Sequence, residues 1–210
     1  MSTESKFFIG IGVSTLLLVV VGALLLGRGG SGKSPDVQSA NVNLVAGAVH
    51  TLGEASASAT IVEFGDYQCP ACKQADPIVK KFLEDKGSNV YFIYRHFPLT
   101  QAHANAMSAA RAAEAAGIGG KFWGMHHLLY EKQAEWSSLS NVDAKLVEYA
   151  SSLGLNIDQF KNDMGDATGD INSDKNLGEK LGVQSTPTFF VNGKMYPGVL
   201  SYEKLVELTK

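Results

Sequence analysis

Cys69 and Cys72 stand three positions apart in "EFGDYQCPACKQADP" and are the only cysteines of the 210-residue chain. Two thiols at that spacing can form a static bridge, clip a metal or act as a reagent. On the first turn of a helix, residues i and i+3 lie about 5–6 Å apart at Cβ, near enough for a disulfide after small adjustments. A helix start also offers unpaired N–H groups and a positive dipole end, which stabilise a thiolate on Cys69. Cys72, one turn further in, is expected to be the less exposed of the two. A thiol of low pKa is a good leaving group, so such a disulfide opens readily to an attacking thiolate. As a staple it is poor, because closing a two-residue gap removes little chain entropy. As a metal clip it supplies two of the four ligands that zinc takes. His126 and His127 are adjacent on a predicted helix, about 100° apart around its axis, and are not expected to meet on one ion. The pair reads as a reagent, with no metal ligands assigned.

A reagent needs elements that hold it. "ATIVEFGDY" has a β-branched and aromatic run over 61–64 that stops at Gly65 and Asp66, the pattern of a buried strand. "PACKQADPIVKKFLEDKG" puts Ile78, Val79, Phe82 and Leu83 at helical spacing up to Gly87. Pro70 suits the first turn of that helix, and Pro77 predicts a kink. "VYFIYRHF", 90–97, is the next strand. Helical patterns then fill 100–181. In one of them Val142, Leu146, Tyr149, Ala150 and Leu153 share a face. "TPTFFVNGKMYPGV" reads as a strand, an Asn-Gly turn and a second strand. "SYEKLVELTK" reads as an amphipathic helix capped by Ser201. The predicted order is β-α-β, a helical block, then β-β-α: an α/β fold with an inserted α-helical subdomain.

Outside the domain, residues 7–27, "FFIGIGVSTLLLVVVGALLLG", carry no charge. About 20 apolar residues suffice to span a bilayer, whereas the apolar part of a secretory signal is roughly 7–15 long. The expectation is an uncleaved transmembrane anchor at 7–27 behind a short tail, 1–6. A flexible linker, 28–46, and the folded domain, 47–210, follow. Lys6 is offset by Glu4 on one side of the anchor, and Arg28 and Lys33 lie on the other, so the positive-inside rule does not settle orientation. The net charge of −3 leaves no basic surplus for nucleic acid. Two cysteines exclude a multiply stapled scaffold.

"VEFGDYQCPACKQ", "YRHFPL", "HANAMSAARAAEAAG" and "GVQSTPTFFVNG" together resemble the DsbA-like branch of the thioredoxin-fold thiol–disulfide oxidoreductases, in its membrane-anchored form. The resemblance covers 44–210 and implies a thioredoxin-like fold with a helical insertion. It implies that Cys69 is the exposed nucleophilic sulfur and Cys72 its buried partner, forming a redox-active disulfide. It further implies that Thr186-Pro187 is a cis-proline loop which, with Pro70 and Ala71, faces an extended substrate peptide. Glu63, six residues before Cys69, matches the acid that relays protons to the buried thiol; burial would raise its pKa toward neutrality. The implied activity is a dithiol oxidase acting on reduced exported proteins and needing no bound cofactor. A quinone-linked membrane thiol oxidase, DsbB- or VKOR-like, would reoxidise it. The implied setting is a monomer on the extracytoplasmic side of the membrane. One departure stands out: the strongest oxidants of the family carry a histidine between the cysteines, and this chain has Pro70-Ala71, which implies a weaker oxidant. A reductase or isomerase of the same fold and a non-enzymatic copper or zinc carrier remain as rival readings.

Three weaker signals are set aside. "DINSDKNLGEKL" has Asp170, Asn172 and Asp174 at alternate positions, but Lys175 and Leu181 where a calcium loop needs Gly and Glu; a solvated helix face is expected. His103 is expected to cap or pack the inserted helices. Phe122, Trp123 and Met125 are expected in the helical core, with a substrate groove as the rival reading.

Overall fold

The computed structural model describes residues 43–210. The segment read as a membrane anchor lies outside them, as does most of the linker. Among the described residues no helix is long and apolar enough to cross a membrane.

The chain runs β1 (His50–Leu52), β2 (Ala59–Gly65), α1 (Pro70–Lys86), β3 (Val90–His96), then six helices of the inserted block. These are α2 (Ala106–Ile118), α3 (Phe122–Glu131), α4 (Gln133–Trp136), α5 (Asp143–Ser152), α6 (Ile157–Asp166) and α7 (Gly169–Lys180). β4 (Thr188–Val191), β5 (Lys194–Pro197) and α8 (Tyr202–Leu208) close the fold. The strands form a mixed sheet in the order β1-β3-β2-β4-β5, with β2 and β3 parallel and the other pairs antiparallel. Helix α1 makes the crossover that a parallel pair requires.

Alternation along β2 assigns its two faces. Ile61 joins the larger core, built with α1 and the inserted helices, while Val62 and Phe64 join a second core with Ile93, Phe97 and Phe190. By the same period Glu63 shares the Ile61 face. It thus points a carboxyl into the core between the sheet and helix α1. The local signals mostly match the elements. Asn192 and Gly193 carry the positive φ angles of 50° and 83° that a tight hairpin turn needs, and Ser201 caps α8 by accepting from Lys204 N at 3.2 Å.

Some expectations change. β1 was not anticipated: three residues at the sheet edge carry too little pattern to read. Pro77, where a kink was expected, lies inside helix α1 and does not end it. Asp174 is not on a solvated face. It is buried at 7% exposure, pairs with Arg95 and accepts from His96 N at 3.0 Å. Arg95 in turn donates to Leu44 O at 2.9 Å and Ala46 O at 2.8 Å, fastening the segment ahead of β1.

Helix α7 approaches β3 closely because Gly178 has no side chain. A Cβ there would lie 2.7 Å from the Phe97 ring and 3.0 Å from that of Phe64. Gly178→Ala is therefore expected to destabilise: overpacking costs about 1–3 kcal/mol, more than the up to about 1 kcal/mol that alanine adds to a helix. A lowered urea midpoint is the expected result; a raised one would show that the rings yield freely.

Candidate active site

Cys69 is the N-cap of α1, with extended backbone (φ −72°, ψ 123°) and Pro70 following in the first turn. The loop that delivers it is tied on several sides. Asp66, at the end of β2, accepts from Gln68 N (2.8 Å), Leu99 N (2.9 Å) and His103 Nδ1 (2.7 Å). Gln133, at the start of α4, donates to the carbonyls of both Tyr67 (2.8 Å) and Cys69 (2.9 Å). Gln68 reaches back to Asn105 N and Ser137 O. The inserted helices thus serve as the back wall of the cysteine loop. His103 braces that loop as well as packing near α2.

Cys69 and Cys72 are both free thiols. The order of burial is as expected, but Cys69 is 7% exposed against 0% for Cys72, so its sulfur is not freely exposed. The Thr186-Pro187 bond is cis, and its loop covers the sulfur, with Cys69 Sγ donating to Thr186 O at 3.2 Å. Pro70 is exposed and Ala71 half-buried beside it.

The two thiols are electronically unequal. Cys69 is pulled down to about 5, chiefly because the Cys72 thiol donates to it; burial opposes, and Thr186 and the N–H groups of Cys72 and Ala71 add to the pull. The carbonyl contact of Thr186 suits the neutral thiol. Its buried Oγ1, however, has no hydrogen-bond partner among the described residues and is free to donate to the thiolate. Cys72 is pushed well up, by burial first, then by its donation to Cys69 and by the charge of Glu63.

Glu63, 2% exposed, has its pKa raised to about 8 by burial and, second, by the charge of Asp76. It lines a cavity of about 480 Å³ together with Asp76, Trp123, His126 and His127. Burial works to raise the Asp76 carboxyl, but donation from His126 and His127 prevails and holds it at about 2. Burial pulls His126 down to about 4 against the attraction of Asp76. The expectation that His126 and His127 could not converge is overturned. His126 Nε2 lies 3.3 Å and His127 Nδ1 2.9 Å from the same oxygen, Asp76 Oδ1. Adjacent imidazoles using different nitrogens span the angular gap that backbone geometry alone imposes.

The structure therefore brings Cys69, Cys72, Pro70, Ala71, Thr186 and Pro187 to one place, with Glu63 behind them. Of the expected core residues, Phe122 and Met125 are buried, while Trp123 is half-buried in the cavity wall. Sequence reading missed Asp66, Asp76 and Gln133. Asp66 had a usable signal, a short acid directly after a strand, the type that ties a turn to itself. Gln133, on a four-residue helix, had none.

Comparison with known proteins agrees with this arrangement. The thioredoxin family model matches residues 46–210. The chain is 41% identical over 158 residues to a protein named Na(+)/H(+) antiporter NhaA 1 from Salinispora arenicola, a match covering 74% of this chain but 23% of that protein. The chain thus spans under a quarter of the antiporter's length. It is 28% identical over 172 residues to Disulfide bond formation protein D of Bacillus subtilis, covering 74% of this chain and 73% of that one. The crystal structure of oxidised BdbD from Bacillus subtilis superposes with a TM-score of 0.66 at 28% identity, over 76% of this chain and 89% of that chain. With its family match running through the sheet, the inserted helices and the Cys-x-x-Cys helix start, the chain belongs to the thioredoxin family.

Proposed function

We propose that this protein is a dithiol oxidase that introduces disulfide bonds into reduced exported proteins, held to the outer side of the membrane by residues 7–27. The observation that carries the reading is the place of Cys69 at the N-cap of α1, with the Cys72 thiol and the N–H groups of Ala71 and Cys72 directed at its sulfur, an arrangement that favours the thiolate. Any interaction that favours the thiolate stabilises the reduced enzyme, and so makes its disulfide a stronger oxidant. The DsbA-like setting and the likeness to a disulfide bond formation protein support it.

The reaction starts from the Cys69–Cys72 disulfide. A substrate thiolate attacks Cys69 Sγ, the Cys69–Cys72 bond breaks, and Cys72 departs with the electron pair. The substrate strand lies along the Thr186-Pro187 loop, against Pro70 and Ala71. Glu63, protonated below about pH 8, supplies the proton that the buried Cys72 thiolate requires. A second substrate thiolate then attacks the substrate sulfur of the mixed disulfide. The Cys69 thiolate leaves, and the helix start, Cys72 and Thr186 stabilise it. Two electrons have passed from substrate to enzyme. A quinone-linked membrane thiol oxidase would take them on and restore the disulfide.

Equilibration of the protein against glutathione buffers tests this. A reduction potential near or above about −180 mV is expected, and one near about −270 mV would make the protein a reductase. The pH dependence provides a second reading. Between the Cys69 pKa of about 5 and the much higher one of Cys72, reduction takes up one proton for two electrons. The potential should then fall by about 30 mV per pH unit, steepening to about 59 mV below pH 5, where two protons are taken up. A slope of about 59 mV at pH 7 would rule out a Cys69 thiolate.

A further inference from the structure

We propose that Asp76, His126 and His127 form a binding site for a divalent transition-metal ion of the zinc class, separate from the cysteine pair. Two imidazole nitrogens and a carboxylate oxygen are borderline donors that suit zinc, cobalt or copper rather than calcium or magnesium, which prefer all-oxygen shells. The three donor atoms lie within 4.8 Å of one another. They come from two elements that pack together: Asp76 from the middle of α1, and both histidines from α3.

The distances fit a shared ion. His126 Nε2 lies 3.3 Å from Asp76 Oδ1, which is long for a charge-assisted N–H···O⁻ bond, usually about 2.7–2.9 Å. Donors bound to one tetrahedral ion at about 2.0–2.1 Å are roughly 3.3 Å apart. His127 Nδ1 is at 2.9 Å, within reach of the same ion after a small side-chain shift. The His126 ring is already oriented: its other nitrogen, Nδ1, lies 3.1 Å from Tyr67 OH. Metal-binding histidines characteristically engage a second partner in this way. Three protein ligands leave a fourth position, as in open zinc sites. The cavity lined by Asp76, both histidines and Glu63 provides room for a water there.

Such an ion would join the redox helix α1 to the inserted helix α3. Binding to the folded state alone must also raise thermal stability with metal concentration. None of the three ligands exchanges electrons or protons with the thiols, so loss of metal binding and loss of oxidase activity are distinguishable, although an ion on Asp76 would offset the charge that helps raise Glu63.

The test is a Co²⁺ titration of the full-length Cys69→Ser/Cys72→Ser variant, followed by absorption and by displacement with Zn²⁺. Expected is one equivalent bound in a four-coordinate spectrum, with the thermal midpoint rising. His127→Ala and Asp76→Asn should each abolish that equivalent. Tyr67→Phe should weaken it by about 10–100-fold, the usual effect of losing an outer partner. Should the double cysteine variant fail to fold, the oxidised wild-type protein, which offers no thiolate, replaces it. His127 is one-third exposed at its side chain, so His127→Ala decides the matter even if Asp76→Asn misfolds. Metal that disappears with the thiols, or persists in His127→Ala, overturns the proposal, as does the absence of stoichiometric binding.

Discussion

Asp174→Ala is expected to lower the unfolding free energy by about 3–5 kcal/mol, the range found when one partner of a buried ion pair is removed. Arg95 is 2% exposed and Asp174 7%, so deleting the carboxylate leaves a guanidinium in the second core with carbonyl partners alone. The carboxylate also accepts from His96 N, and that buried N–H would lose its partner. Burial pushes the Asp174 carboxyl up, against the pull of His96 and Arg95; the pair therefore stores less energy than its closeness suggests. Removing both charges should be much milder than removing one, since an apolar pair of similar volume is often neutral or better. Equilibrium urea denaturation of Asp174→Ala and of Arg95→Met/Asp174→Leu tests both parts. A single-variant loss under about 1 kcal/mol would mean that water reaches the pair.

Glu63→Gln should stabilise the protein near neutral pH and slow its chemistry. The folded pKa of Glu63 is raised from 4.5 to about 8. For an acid raised on folding, the carboxyl is protonated in both states below the unfolded value, and nothing is lost there. As pH rises from 4.5 toward 8, the unfolded chain ionises while the fold keeps the proton, and stability falls. At pH 7 that loss is about 3 kcal/mol, at 1.36 kcal/mol per pKa unit. Glutamine does not titrate, so the variant should gain about 3 kcal/mol over the wild type between pH 4 and pH 7. The oxidised form is the one to use, because it removes the Cys69 titration, which runs the opposite way over the same range. With the carboxyl gone, attack on the disulfide should slow, since the Cys72 thiolate lacks its proton source. A stability difference that is flat across pH would show that Glu63 titrates normally and would remove the reason to place it in the mechanism. Greater stability joined to slower exchange is the usual sign of a group retained for function.

Much of the framework was legible because it is local. The strand over 61–64, the helix from Pro70, the Asn-Gly hairpin and the Ser201 cap each depend on residues within a few positions of one another. The cysteine pair belongs to this class: i, i+3 spacing at a helix start carries its own electrostatics. So does the Thr186-Pro187 loop, through its resemblance to a family motif. What the sequence could not decide were pairings between residues far apart in the chain. Asp76 meets His126 and His127 across 50 and 51 positions, and Arg95 meets Asp174 across 79. Neither partner signals the other until α3 packs on α1 and α7 packs on β3. Gln133 reads as an ordinary helix residue, yet it holds the carbonyls of Tyr67 and Cys69 because the inserted block folds back behind the loop. Local sequence sets which backbone shape each segment takes and where the reactive sulfur stands. Burial and charge proximity are properties of the assembled core, and they alone decide whether a carboxyl such as Glu63 titrates near 4.5 or near 8.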